Sequence, residues 1–266
     1  MAVMSITSEQ ADGASAVTTS MVTPIVALDV ADADAARVLV ARLGSACDFY
    51  KVGLELFSAA GPSIVSWLRG EGKRVFVDLK LHDIPNTVRS AARAVAKGGA
   101  SLLTVHASGG AAMIQAAVDG AAEGSSLASA GRASDGNDPT CAILGVTILT
   151  NLDASAIESA WGRQGVSVEA EVVRLAGLAL GGHAAGVVCS GHEAAAVRAS
   201  YGRSLGTLIP GIRLPGGDPH DQRRVITPAS AAAAGARWII LGRAVTGADD
   251  PVAALHAVHA ALAEVT

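Results

Sequence analysis

From Thr23 onward, short runs of aliphatic and β-branched residues alternate with Ala-rich amphipathic segments, and the alternation repeats eight times. Strand-like runs occupy residues 24–30, 48–54, 74–81, 101–107, 141–149, 185–190, 205–212 and 237–242. Helical periodicity marks about 33–43, 58–70, 86–97, 110–122, 168–180, 192–200, 227–235 and 250–264. Parallel strands need a crossover long enough to carry a helix, so such repeats predict an α/β fold around a parallel sheet. Setting the first 22 residues aside leaves about 244, close to the roughly 250 typical of a single-domain (β/α)8 TIM barrel. A doubly wound open sheet is the alternative. It would call for a Gly-rich first strand-to-helix turn, and Asp29-Val-Ala-Asp-Ala-Asp34 contains no glycine.

The ends of the first three strands carry the chemistry. In Val75-Phe-Val-Asp-Leu-Lys-Leu81 the two-residue period puts Phe76, Asp78 and Lys80 on one face and Val75, Val77 and Leu79 on the other. Alone, this reads equally well as an edge strand with a solvated face. The same alternation sets Ile25, Ala27 and Asp29 against Val26, Leu28 and Val30, and places Lys51 near the end of Asp48–Gly53. Three strands thus deliver Asp29, Lys51, Asp78 and Lys80 to their C-terminal ends. Charges are costly inside a parallel sheet unless paired, so a cluster of alternating sign there reads as a site. A lysine between carboxylates is favoured as its ammonium form. That suits it to donate a proton or anchor an anion rather than to form a Schiff base.

A second site signal lies at the last strand, where Trp238-Ile-Ile-Leu-Gly-Arg243 leaves Gly242 and Arg243 at the tip. Barrels commonly hold phosphate after strands seven and eight, and Arg213 and Gln222 in the preceding loop offer further donors. That loop, 211–225, is long and punctuated by Gly and Pro, and is expected to close over a ligand. Thr150 either hydrogen-bonds a substrate or caps the approach to a helix. His106 shares a face with Leu102 and Thr104 and is expected to be structural, and His183 carries no role.

Half of the 266 residues are hydrophobic and 17% are charged, which suffices for a sizeable core. A net charge of −4 gives no support to a nucleic-acid groove or a basic membrane-binding face. Cys47, Cys141 and Cys189 are odd in number and lack metal-ligand spacing, so they predict buried thiols in a reducing cytoplasm, with neither disulfides nor zinc. No apolar run approaches the roughly 18 to 20 residues of a membrane span. Residues 1–22 lack Lys and Arg and do not resemble a signal peptide; they are expected to be a disordered tail. Residues 124–139, rich in turn formers, are expected to be a mobile surface insertion.

Leu28-Asp29-Val30, Lys51-Val52-Gly53 and above all Asp78-Leu-Lys-Leu-His-Asp-Ile-Pro-Asn-Thr87 resemble the orotidine 5′-monophosphate decarboxylase family. Pro210-Gly-Ile-Arg213, Gln222-Arg-Arg-Val-Ile-Thr-Pro228 and Gly242-Arg243 are similar to its later motifs. The likeness spans about residues 23 to 260, and the tail and the 124–139 stretch depart from it. It implies conversion of orotidine 5′-phosphate to UMP and CO2, the last step of UMP synthesis, with no metal or organic cofactor. Lys80 is then the proton donor to C6 of the pyrimidine, Asp78 lies by the departing carboxylate, and Lys51 and Asp83 complete the charge network. The resemblance further implies ribose contacts from Asp29, Lys51 and Thr87 and a pyrimidine contact from Thr150. Arg213, Gln222, Gly242 and Arg243 would hold the phosphate. A homodimer is implied, with Asp83 and Thr87 reaching into the neighbouring subunit's site. Two rivals remain at this point: a related Mg2+-dependent barrel acting on sugar phosphates, and a non-catalytic nucleotide-binding module.

Overall fold

The computed structural model describes residues 22–129, 140–214 and 226–265. Eight parallel strands close into a barrel in chain order, and the last pairs back onto the first. They are β1 (Thr23–Ala27), β2 (Phe49–Gly53), β3 (Arg74–Leu81), β4 (Leu102–His106), β5 (Ala142–Val146), β6 (Gly186–Val188), β7 (Gly206–Ile209) and β8 (Trp238–Leu241). Helix α1 (Ala33–Leu43) follows β1, and α2 (Leu54–Ala60) with α3 (Ser63–Gly70) follows β2. Next come α4 (Pro85–Lys97) after β3, α5 (Ala111–Ser129) after β4, and α6 (Ala154–Trp161) with α7 (Val168–Gly181) after β5. The ring ends with α8 (Gly191–Tyr201), α9 (Pro228–Ala233), α10 (Arg243–Thr246) and α11 (Pro251–Ala263). This is a (β/α)8 barrel.

The two-residue period sorts strand side chains into two cores. Ile25, Ala27, Phe49, Phe76, Leu102, Leu144, Leu208, Trp238 and Ile240 fill the barrel interior. Their neighbours in sequence, among them Val26, Tyr50, Val75, Val77, Leu103 and Ile239, pack outward against the helices. The interior interdigitates by pairing large with small. A Cβ on Gly186 or Gly206 would lie 3.0 or 2.9 Å from the Trp238 ring, so two glycines make room for one indole at the N-terminal end.

Helix starts follow local chemistry. Asp32, Asp153, Ser167, Ser190, Thr227 and Asp250 each accept a backbone N–H from the first turn of the helix they cap. Pro85, Pro228 and Pro251 occupy first-turn positions where a missing N–H costs nothing.

Several expected boundaries shift. The helix expected at 58–70 is two helices, because Gly61 at φ +65° ends α2 and Pro62 cannot continue it. Strand β1 stops at Ala27 and β5 at Val146, although the apolar runs go on. Ile148 remains buried without being in the sheet, so burial outlasts strand pairing.

The stretch expected to be an insertion from 124 gives its first six residues to α5, and 130–139 lie outside the described residues. Gly120 and Gly124 explain why. A Cβ on either would collide with the backbone carbonyl of Arg89 or Arg93 on α4, so the turn-forming residue type here serves close helix packing. Of the expected tail, residues 1–21 also lie outside the described residues.

Candidate active site

Asp29, Lys51, Asp78 and Lys80 meet at the C-terminal mouth of the barrel. Lys51 Nζ lies 2.8 Å from Asp29 Oδ1 and 3.8 Å from Asp78 Oδ2, and Lys80 Nζ lies 2.9 Å from the same Asp78 oxygen. Charges alternate Asp29, Lys51, Asp78, Lys80 across β1, β2 and β3. The Lys51 and Asp78 side chains are only 10% and 13% exposed, so leaving either unpaired would cost several kcal/mol. Gly53 shapes this corner. A Cβ there would stand 2.9 Å from Lys51 Nζ and 3.3 Å from Asp29 Oδ1, displacing the ion pair.

Lys80 reaches the cluster through an irregular strand. Against β4, residue Val77 pairs with Leu103 but Leu81 pairs with Val105, so β3 carries two extra residues between these points. Lys80 sits in this bulge at φ +51°, a conformation that costs a non-glycine residue about 1–3 kcal/mol. Its N–H donates to Thr104 Oγ1 at 2.9 Å, and the same hydroxyl donates to Asp78 Oδ1 at 2.9 Å. Thr104 is fully buried. The alternation of β4 places it on the inner face, but nothing in the sequence announces the bulge that gives its hydroxyl two partners.

A cavity of about 520 Å³ opens beside this cluster. Asp29, Lys51, Asp78 and Lys80 line one side. Phe76, Val188, Leu208 and Ile240 supply apolar lining, and Ile148, Leu149 and Thr150 come from the loop after β5. At β7 and β8 the lining is Pro210, Gly211, Arg213, Gly242, Arg243 and Thr246. Thr150 therefore faces the cavity, and the cap of α6 is Asp153 instead. Arg213 is 9% exposed and donates to the Ile212 carbonyl at 3.0 Å. Ile212 also bridges to Ile226, which joins the two ends of the 211–225 loop. Gln222, with residues 215–225, lies outside the described residues.

Asp83 and Thr87 do not line this cavity. Both are exposed on the rim, and Asp83 Oδ1 accepts the Ile84 N–H at 2.6 Å. Ile84 beside them is 68% exposed. His106 also stays off the cavity lining and packs against His82, with ring centroids 5.5 Å apart. Burial first, then the neighbouring His82 and Lys80, push the His106 imidazole below its usual range. The three cysteines are buried and free. Among the described residues no helix is long and apolar enough to cross a membrane, and no group of three His, Cys, Asp or Glu side chains is placed to hold a metal ion.

Fold and cavity define the class: a (β/α)8-barrel enzyme with a paired Lys/Asp array at the C-terminal mouth. Known proteins narrow it. The pattern of the orotidine 5′-phosphate decarboxylase / HUMPS family matches residues 23–258. The orotidine 5′-phosphate decarboxylase of Anaeromyxobacter sp. (strain K) is 48% identical over 89% of this chain and 96% of its own length. That of Moorella thermoacetica is 46% identical over 89% and 90% respectively. The crystal structure of the Lactobacillus acidophilus orotidine 5′-phosphate decarboxylase superposes with a TM-score of 0.78 at 34% identity, covering 90% of this chain and 98% of that one. The chain belongs to the orotidine 5′-phosphate decarboxylase / HUMPS family and is a carboxy-lyase of that family.

Proposed function

We propose that this barrel converts orotidine 5′-phosphate to UMP and CO2, in UMP biosynthesis, using fixed charge in place of a cofactor. In this reading the bond from C6 of the pyrimidine to its carboxylate breaks, the electron pair stays on C6, and Lys80 gives that carbon a proton. The ring delocalises the C6 electron pair poorly, so a nearby ammonium supplies the stabilisation and then the proton. Asp78 faces the departing carboxylate, and Lys51 and Asp29 keep the array paired and meet the ribose. Thr150 contacts the pyrimidine, and Arg213, Gln222, Gly242 and Arg243 take the phosphate.

The observation that carries this reading is the polarity of the cavity: an alternating Lys/Asp wall at β1–β3, arginines at β7 and β8, and apolar lining besides. That spacing of features suits a nucleotide, with its reacting ring at one end and its phosphate at the other. Both Asp29 and Asp78 already have lysine ammonium groups within ion-pair distance, which compete with any divalent cation for their oxygens. This disfavours the Mg2+-dependent sugar-phosphate reading. The test is loss of orotidylate absorbance with purified protein in excess EDTA. Full activity is expected; a strict metal requirement would favour the rival barrel, and binding with no turnover would reduce the protein to a nucleotide-binding module.

The reading includes a homodimer in which Asp83 and Thr87 serve the neighbouring subunit. It is supported by their exposure on the rim, outside their own chain's cavity, next to the exposed apolar Ile84. Mixing inactive Lys80→Ala and Asp83→Ala homodimers under subunit exchange creates one site with both native residues, so activity should return. No recovery despite demonstrated exchange would place Asp83 in its own chain's site. A cytoplasmic location fits three free thiols.

A further inference from the structure

We propose that Thr104 is a positioning residue that sets the Asp78 carboxylate and the Lys80 backbone with a single hydroxyl. The inference rests on the reading of Lys80 as proton donor and adds a residue outside the charged array. In the β3 bulge, Lys80 takes a left-handed conformation, and its N–H is answered by Thr104 Oγ1 at 2.9 Å. A backbone N–H only donates and an ionised carboxylate only accepts, so the direction of both bonds is fixed. The lone hydroxyl proton of Thr104 points at Asp78 Oδ1, 2.9 Å away. That leaves Asp78 Oδ2 to the ammonium groups of Lys80 and Lys51, at 2.9 and 3.8 Å.

The division of labour on Asp78 is the core of the argument. One oxygen faces the scaffold and the other faces the cations, which fixes the plane of the carboxylate. Because the same hydroxyl also holds the Lys80 backbone, the part of β3 that carries both donor and carboxylate is tied to β4 at one point. Thr104 is β-branched and fully buried, so its hydroxyl has restricted rotamers and water cannot take its place. Replacement of the hydroxyl by a methyl leaves the bulge N–H and one carboxylate oxygen without this partner.

The test compares Thr104→Val with Thr104→Ser, with kcat and KM for orotidine 5′-phosphate measured per folded site. Thr104→Val should lower kcat roughly 10- to 100-fold while KM stays within about threefold, since geometry that matters only in the transition state shows in kcat. Thr104→Ser keeps the hydroxyl and should return kcat to within about threefold of the parent. Should the valine variant not fold, Thr104→Ala against Thr104→Ser makes the same comparison without the second branch. Equal kcat in the hydroxyl and non-hydroxyl variants, or a loss that disappears when kcat is expressed per folded site, overturns the proposal. Lys80→Ala measured alongside separates the two failures. A collapsed Lys80→Ala beside an unaffected Thr104→Val removes Thr104 alone, whereas a Lys80→Ala within tenfold of the parent removes the underlying reading as well.

Discussion

The two halves of the barrel mouth are built on opposite principles. At β1–β4 the inner residues beyond the apolar layer are Asp29, Lys51, Asp78, Lys80 and Thr104, each tied to another by an ion pair or hydrogen bond. At β5–β8 the strand residues that line the cavity are the apolar Val146, Val188, Leu208 and Ile240, and its polar lining comes from beyond the strands, with Thr150, Arg213 and Arg243. The first half spends folding stability, through buried charge and a left-handed lysine, on a pre-set geometry. The second half costs the fold little and offers an apolar surface with cations beyond it. In the proposed function this contrast assigns reaction to one set of strands and retention of the ligand to the other.

That contrast makes graded predictions. Removing a carboxylate from the first half should hurt most: Asp78→Ala leaves Lys51 and Lys80 partnered at most by Asp29, and kcat should fall by roughly 10³-fold or more. Steady-state kinetics with a folding check decides, and a loss below tenfold would break the division. Arg243→Ala removes a charged donor from the second half, and kcat/KM should fall about 10- to 100-fold. The comparison sharpens with the nucleoside orotidine, which lacks the phosphate. There, parent and Arg243→Ala should react alike, and an equal penalty on both substrates would contradict a phosphate role.

Gly53→Ala probes a finer point in the first half. The added methyl crowds Lys51 Nζ, the movable end of a flexible side chain, so a loss of about tenfold in kcat/KM with little change in melting temperature is expected. Unchanged kinetics would show that the Lys51–Asp29 pair tolerates displacement.

The smallest effect concerns His106, whose imidazole resists protonation in the fold. The unfolded chain then binds the proton more readily, so stability is present above the ordinary imidazole value near 6.5 and declines as pH falls below it. His106→Asn should flatten the melting-temperature profile between pH 7 and 5 by roughly 1–2 °C. An identical slope in both proteins would remove His106 from the account.

How far the sequence discloses this molecule differs between the same halves. Eight alternations of strand and helix were enough for the barrel, since burial on both strand faces leaves long apolar runs that few other segments show. Asp29, Lys51, Asp78 and Lys80 were legible because charge at the end of such a run is expensive and so conspicuous. Thr104 and Gly53 were not, since a threonine in a strand and a glycine at its end are ordinary. Their importance comes from the β3 bulge and from the 2.9 Å left beside Lys51 Nζ, both of which are tertiary facts. Residues 124–129 misled for a related reason. Gly and Ser read locally as turn formers, yet at Gly120 and Gly124 the missing side chain is what lets α5 lie against α4. Asp83 and Thr87 were named from the motif alone, and in the single chain they are exposed and off the cavity lining.

The central claim is that the Lys80 ammonium, held by Asp78 and the bulge, delivers the proton that completes decarboxylation. Its most direct test follows orotidylate consumption by the parent and by Lys80→Ala, both in excess EDTA and both shown to be folded. The account predicts full parental activity and a kcat at least about 10³-fold lower in the variant. A Lys80→Ala enzyme within tenfold of the parent would contradict it.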